Sequence, residues 1–187
     1  MRSFLPLFGF AFAAATPVLA TEVVPTAPFK AVQLRGGGSV VVVPGPAPRV
    51  TLVEGSTAYT RFRVAEDGQL KIDTCYDRCP RQYRMRVEIQ SPTVPGLAVS
   101  GGGLINVRPG FAAQERLSAA VNGGGKIDAQ AVHAGSVSAA VNGGGDVLVH
   151  AQSHLSAAVN GGGMVRYLGN PRVSSAVRGG GLVRAAR

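Results

Sequence analysis

Through its second half the chain alternates apolar with small or polar residues, and three consecutive glycines interrupt the alternation at regular intervals. Aligning the copies on their glycines gives clean columns. Two places after each triplet stand Val40, Ile105, Ile127, Val147, Val165 and Val183. Two places before stand Leu34, Val99, Val121, Val141, Val159 and Val177, and six before, in the last four copies, Leu117, Val137, Leu155 and Val173. Alternation at period two marks strands with one buried face. Each copy therefore predicts a short strand, a glycine corner and a second short strand. One copy starts at Ala31; the others start at Leu97, Leu117, Val137, Leu155 and Val173, with first glycines 22, 20, 18 and 18 residues apart. Self-similarity near 20 residues predicts an all-β solenoid, a parallel stack in which each repeat is one coil.

The predicted corners are Gly36-Gly37-Gly38, Gly101-Gly102-Gly103, Gly123-Gly124-Gly125, Gly143-Gly144-Gly145, Gly161-Gly162-Gly163 and Gly179-Gly180-Gly181. Glycine suits a corner because it takes positive φ and packs where a β-carbon would not fit. Just before three of these triplets stand Asn122, Asn142 and Asn160. Their amides are expected to bond along the stack as an internal ladder, a row of ligand-binding amides being the alternative. Ser118, Ser138, Ser156 and Ser174 form one outward column, and Ala120, Ala140, Ala158 and Ala176 another. The resulting flat strip of tiny side chains is expected to lie under another part of the chain, with self-association as the second reading.

Between Gly38 and Leu97 the period fades. Strand-like runs at 39–43, 49–54, 58–64, 69–74 and 83–90 are separated by turn signals. These read as irregular N-terminal coils or as hairpins capping the stack. HAQSH at 150–154 and LGNPR at 168–172 read as outer turns of the late coils, which makes His150 and His154 solvent-facing turn residues, with a weak metal site as the alternative.

Residues 1–20 carry a charged start at Arg2, an apolar run, and Val18-Leu19-Ala20 at a cleavage site. This predicts a secretory signal with a mature chain, 21–187, forming one solenoid domain (irregular over 21–96, regular over 97–187). An uncleaved anchor is the alternative, against which the run is short. No later stretch is long enough for a transmembrane span. Export places Cys75 and Cys79 in an oxidising setting, so a structural disulfide across TCYDRCP is expected rather than a redox or zinc pair.

Forty-five per cent of the residues are hydrophobic, and the formal net charge is +9. Arg61, Arg63, Arg81, Arg84 and Arg86 crowd the middle of the chain. Such basicity attracts polyanions. With no Trp and few aromatics, nucleic acid is an unlikely partner. No phosphate-binding GK[ST] follows the glycines, and NGGGD at 142–146 lacks the nonapeptide calcium spacing. Asp128 and Asp146 stand in different columns, so no carboxylate pair is indicated. The expectation is no enzyme, no cofactor and no metal site.

The parts VQLRGGGSVVV, LKID, YRMRVEI and SPTVPGLAVSGGGLINV, the tandem corners, and the finish GGGMVRYLGNPRVSSAVRGGGLV resemble a bacterial family of secreted domains called auto-transporter adhesin, head GIN domain. NGGG in place of SGGG corners, the Cys loop and the high Arg content depart from the family habit. The resemblance implies a right-handed parallel β-helix, secreted or attached to the envelope, with no catalytic residues to transfer. The reading that follows is a non-enzymatic adhesion or interaction scaffold in the periplasm or at the cell surface. Its partner would be an envelope protein or glycan, or another copy through the Ser/Ala strip. The alternatives are a basic module for lipopolysaccharide or acidic glycan and, remotely, a polysaccharide-cleaving enzyme.

Overall fold

The computed structural model describes residues 21–186, so the expected signal at 1–20 lies outside the described residues. The described chain is all-β, with fifteen strands in one hydrogen-bonded sheet and no helix. The strands form two files. The first runs β5 (Thr60–Val64), β6 (Gln69–Thr74), β2 (Ala31–Gly36), β8 (Gly96–Gly101) and β10 (Gln114–Gly123), then the second halves of β11 (Lys126–Gly143) and β12 (Asp146–Asn160), and ends at β14 (Arg172–Arg178). The second begins β1 (Glu22–Val24), β4 (Arg49–Glu54), β7 (Arg86–Ser91), β3 (Ser39–Pro44) and β9 (Leu104–Val107). It continues through the first halves of β11 and β12 to β13 (Met164–Leu168) and β15 (Leu182–Ala185).

Within each file the repeats pair in parallel, residue on equivalent residue: Val121 with Val141, Val141 with Val159, Ile127 with Val147. The aligned columns therefore become rows of touching side chains. Val99, Val121, Val141, Val159, Ile105, Ile127, Val147 and Val165 are all fully buried in one core. A third inward column, Ala119, Ala139 and Ala157, follows from the same parity. At the corners the first glycine of each regular triplet has positive φ, +117° at Gly143, where a β-carbon would sit 2.7 Å from the Gly123 carbonyl oxygen.

The copy at Ala31, which the alignment counts among the repeats, is regular in space too. It stacks directly on the Leu97 copy in full register, Leu34 on Val99 and Gly36 on Gly101. The chain then leaves this pairing for the segment between β3 and β8 and in it lays β6 and β7 on the outer side of β2 and β3. Antiparallel strands β5, β4 and β1 close that end. Segment 150–154 is no turn: β11 and β12 run on as strands, kinked by register shifts at 129–133 and 134–136, and they bury Val132, Ala134 and Ala151. A bulge bends a strand without giving up its ladder on either side. The last repeat is not core. Val173 and Val177 are 41% and 42% exposed, because no further rung among the described residues covers them.

Candidate functional site

Parity on the first file turns Leu117, Ala119 and Val121 inward, and so turns Ser118 and Ala120 outward. Ser118, Ser138, Ser156 and Ser174 face one another rung by rung, and all four are exposed. The expected cover does not form: the strands of 49–91 pack at the end of the stack, Val94 and Pro95 reach along one side only, and the strip stays open. Its floor is rigid because the backbone beneath it is already paired on both sides.

A wall stands along part of the strip. Gln114 holds it, its Oε1 accepting from the Val94 amide at 3.1 Å and its Nε2 donating to the Val94 and Arg116 carbonyls at 3.4 and 2.7 Å. Between wall and floor lies a cavity of about 570 Å³, lined by residues including Lys30, Val94, Pro95, Arg116, Ser118, Ser138 and His154. A hollow of about 210 Å³, sharing Gly96, Ser118 and Ser138, continues it toward Ala120 and Ala140. Gly96 keeps the passage open, since a β-carbon there would stand 2.9 Å from Ser118 Oγ. Along the edge runs a further column, Arg116, Ser136, His154 and Arg172. It lies seven places before the first glycine of each triplet. The sequence alignment stopped at six and left His154 and Arg172 to the links, which is why this column was missed.

Asn142 Nδ2 donates to Asn122 Oδ1, and Asn160 Nδ2 to Asn142 Oδ1, each at 3.0 Å. The three amides are exposed and bond to one another along the stack, as the ladder reading expects. Cys75 and Cys79 are joined by a disulfide. The arginine segment is divided. Arg61 lies over the Tyr76 ring at 4.0 Å, Arg63 reaches Asp73 at 4.0 Å, and Arg86 pairs with Glu54 at 3.2 Å on the other file. Arg81 and Arg84 are exposed on the connection between β6 and β7. Asp146, on one rung, is engaged by Arg166 on the next, which holds the guanidinium pKa above its ordinary value, mainly through that hydrogen bond.

His150 lies in a strand rather than in the turn expected. His133 and His150 stack with ring centroids 4.0 Å apart. Burial, and then the neighbouring His133, lower the His150 pKa below the usual imidazole value, partly offset by a hydrogen bond with the Gln130 backbone. Among the described residues no His, Cys, Asp or Glu cluster could hold a metal ion, and no helix is long and apolar enough to cross a membrane.

Fold comparison finds a crystal structure of a "putative adhesin" from Bacteroides fragilis NCTC 9343, 18% identical, covering 89% of this chain and 96% of that one at a TM-score of 0.51. Another "putative adhesin", from Parabacteroides distasonis ATCC 8503, is 16% identical over 89% and 96% of the two chains at a TM-score of 0.44. No curated protein sequence matches the chain. The sequence resemblance is itself matched by a family model: residues 111–171, which carry most of the Arg116 column and most of the serine file, fit the family described as "Putative auto-transporter adhesin, head GIN domain".

Proposed function

We propose that this chain is a non-enzymatic scaffold, exported to the periplasm or cell surface, that works by adhesion through the open Ser/Ala strip. The observation that carries the proposal is the strip itself: an ordered sheet face, walled on one side, that no other part of the described chain covers. We read the two files as alternating strands of a right-handed parallel β-helix turning at the glycine triplets. Support for the hand is general, since about 98% of crossovers between parallel strands of one sheet are right-handed. Export rests on the signal-like residues 1–20.

Cell fractionation with N-terminal sequencing tests the first half. The expected product starts at Thr21 in the periplasmic or extracellular fraction; an intact Met1 in the cytosol would overturn it. Surfaces coated with purified lipopolysaccharide, capsular glycan or the protein itself test the second half. Retention on at least one is expected, and retention on none refutes adhesion.

A further inference from the structure

We propose that the groove beside the serine file binds a linear acidic polysaccharide, its sugar hydroxyls on the serines and its acidic groups on the cationic edge. This rests on the adhesion reading and assigns it a ligand class. The cavity is lined by Lys30, Arg116 and His154 and by no carboxylate. Arg172 continues the Arg116 column one rung beyond His154. Arg116 has only a solvent-exposed contact with Glu115, at 3.7 Å, and such pairs are screened and weak.

Repetition fixes the spacing. Rungs are ~4.8 Å apart, so the two arginines of the column, Arg116 and Arg172, three rungs apart, stand roughly 14 Å from each other along the groove, with the His154 imidazole between them. A ligand that matches must itself repeat its charge along a line. Ser118, Ser138 and Ser156 place hydroxyls, each both donor and acceptor, on successive rungs beside that column. Val94 and Pro95 offer an apolar wall against which the C–H face of a sugar ring can lie.

Other occupants fit less well. The strip is a sheet face whose backbone groups are already paired, so an added peptide strand finds no ladder to join. No Phe, Tyr or Trp lines the cavity to stack a nucleobase. A bilayer surface cannot follow a floor recessed behind the Val94–Pro95 wall, whereas a single polymer chain can lie along it.

Calorimetric titration of the mature protein with alginate oligomers, against neutral dextran oligomers of equal length, tests the assignment. Alginate is expected to bind and dextran not, with affinity falling as salt rises from about 50 to 200 mM. Combining Lys30→Glu with Arg116→Glu should weaken binding roughly tenfold. The charge-matched pair Arg49→Glu and Arg108→Glu, exposed on the other file, should leave it unchanged. Ser138→Phe, which plugs the floor at an exposed site, should abolish binding with the strand circular dichroism retained. Equal weakening by both charge pairs would reduce the effect to net charge and overturn the groove. Binding to phosphatidylglycerol vesicles but not to alginate would overturn the ligand class. Adhesion to envelope surfaces that persists in Ser138→Phe would sink this inference alone, whereas a wild-type protein that adheres to nothing removes the adhesion reading as well.

Discussion

Gly143, Gly144 and Gly145 are adjacent and identical in chemistry, yet alanine at each should do something different. At Gly143 φ is +117°, and an added β-carbon would meet the Gly123 carbonyl oxygen at 2.7 Å. Holding a non-glycine residue in such a region costs about 1–3 kcal/mol, and forcing the overlap adds about as much. Gly143→Ala should therefore cost roughly 2–6 kcal/mol, a large share of the ~5–15 kcal/mol by which a domain is stable. At Gly144 nothing lies within 4 Å and φ is not positive. There alanine should be neutral or stabilise by up to about 1 kcal/mol by restricting the unfolded chain. Gly145→Ala would overlap Val121 Cγ1 and the Gly125 carbonyl without backbone strain, and should cost about 1–3 kcal/mol. Urea unfolding followed by circular dichroism measures all three. A Gly144→Ala variant as damaged as Gly143→Ala would refute the corner geometry.

The exposed end gives a paired comparison: Val159→Ala, fully buried, should cost about 2–3 kcal/mol. Val177→Ala, in the same column but 42% exposed, should stay below about 1 kcal/mol, and equal losses in denaturation midpoint would show that the last rung is covered in solution. Because the folded state lowers the His150 pKa, the unfolded chain takes up its proton first on acidification. The stability this residue contributes is whole above the unfolded value of ~6.5 and is lost as pH falls from there through the lowered folded value. His150→Gln should flatten that slope in stability measured against pH, and an unchanged slope would assign it to other groups. Reducing the Cys75–Cys79 bond opens a loop of about five residues, for which chain entropy predicts a loss of about 2 kcal/mol. A thermal midpoint unmoved by reductant would contradict that figure.

The regular half of the fold was legible because its information is columnar. Val121, Val141 and Val159 repeat in sequence and stack in space, so finding the period was equivalent to finding the pairing. What the period cannot encode is which repeat neighbours which. Nothing in VQLRGGG says that Leu34 will lie on Val99 rather than on the strand nearest in sequence, since any copy fits any other. The bulged strands were hidden for a different reason. His133, Gln152 and Ser153 are polar, and polarity is also what turns look like, yet Val132 and Ala151 among them carry the core. For the candidate site, the Ser and Ala columns were visible as a strip. Its openness depended on where residues 44–95 go, which is a question of tertiary placement. Arg116 was within reach, one column beyond the alignment.

The placement of β2 and β3 bears on how the chain can assemble. Ribosomal synthesis delivers residues in order, and most of this stack could form in that order, each rung templated by the one before it. The rung at 31–43 is the exception, because its inner neighbour, Leu97–Val107, is made after some fifty intervening residues. Until then its inner edge is free, even where β6 and β7 have already paired with the outer one, and a free strand edge invites pairing with whatever is nearest. Every later repeat is a passable substitute for the right one. The antiparallel strands at that end cover its outer side, β4 pairing with β7 and β5 with β6, so the inner edge of the 31–43 rung is the one left for a repeat to claim.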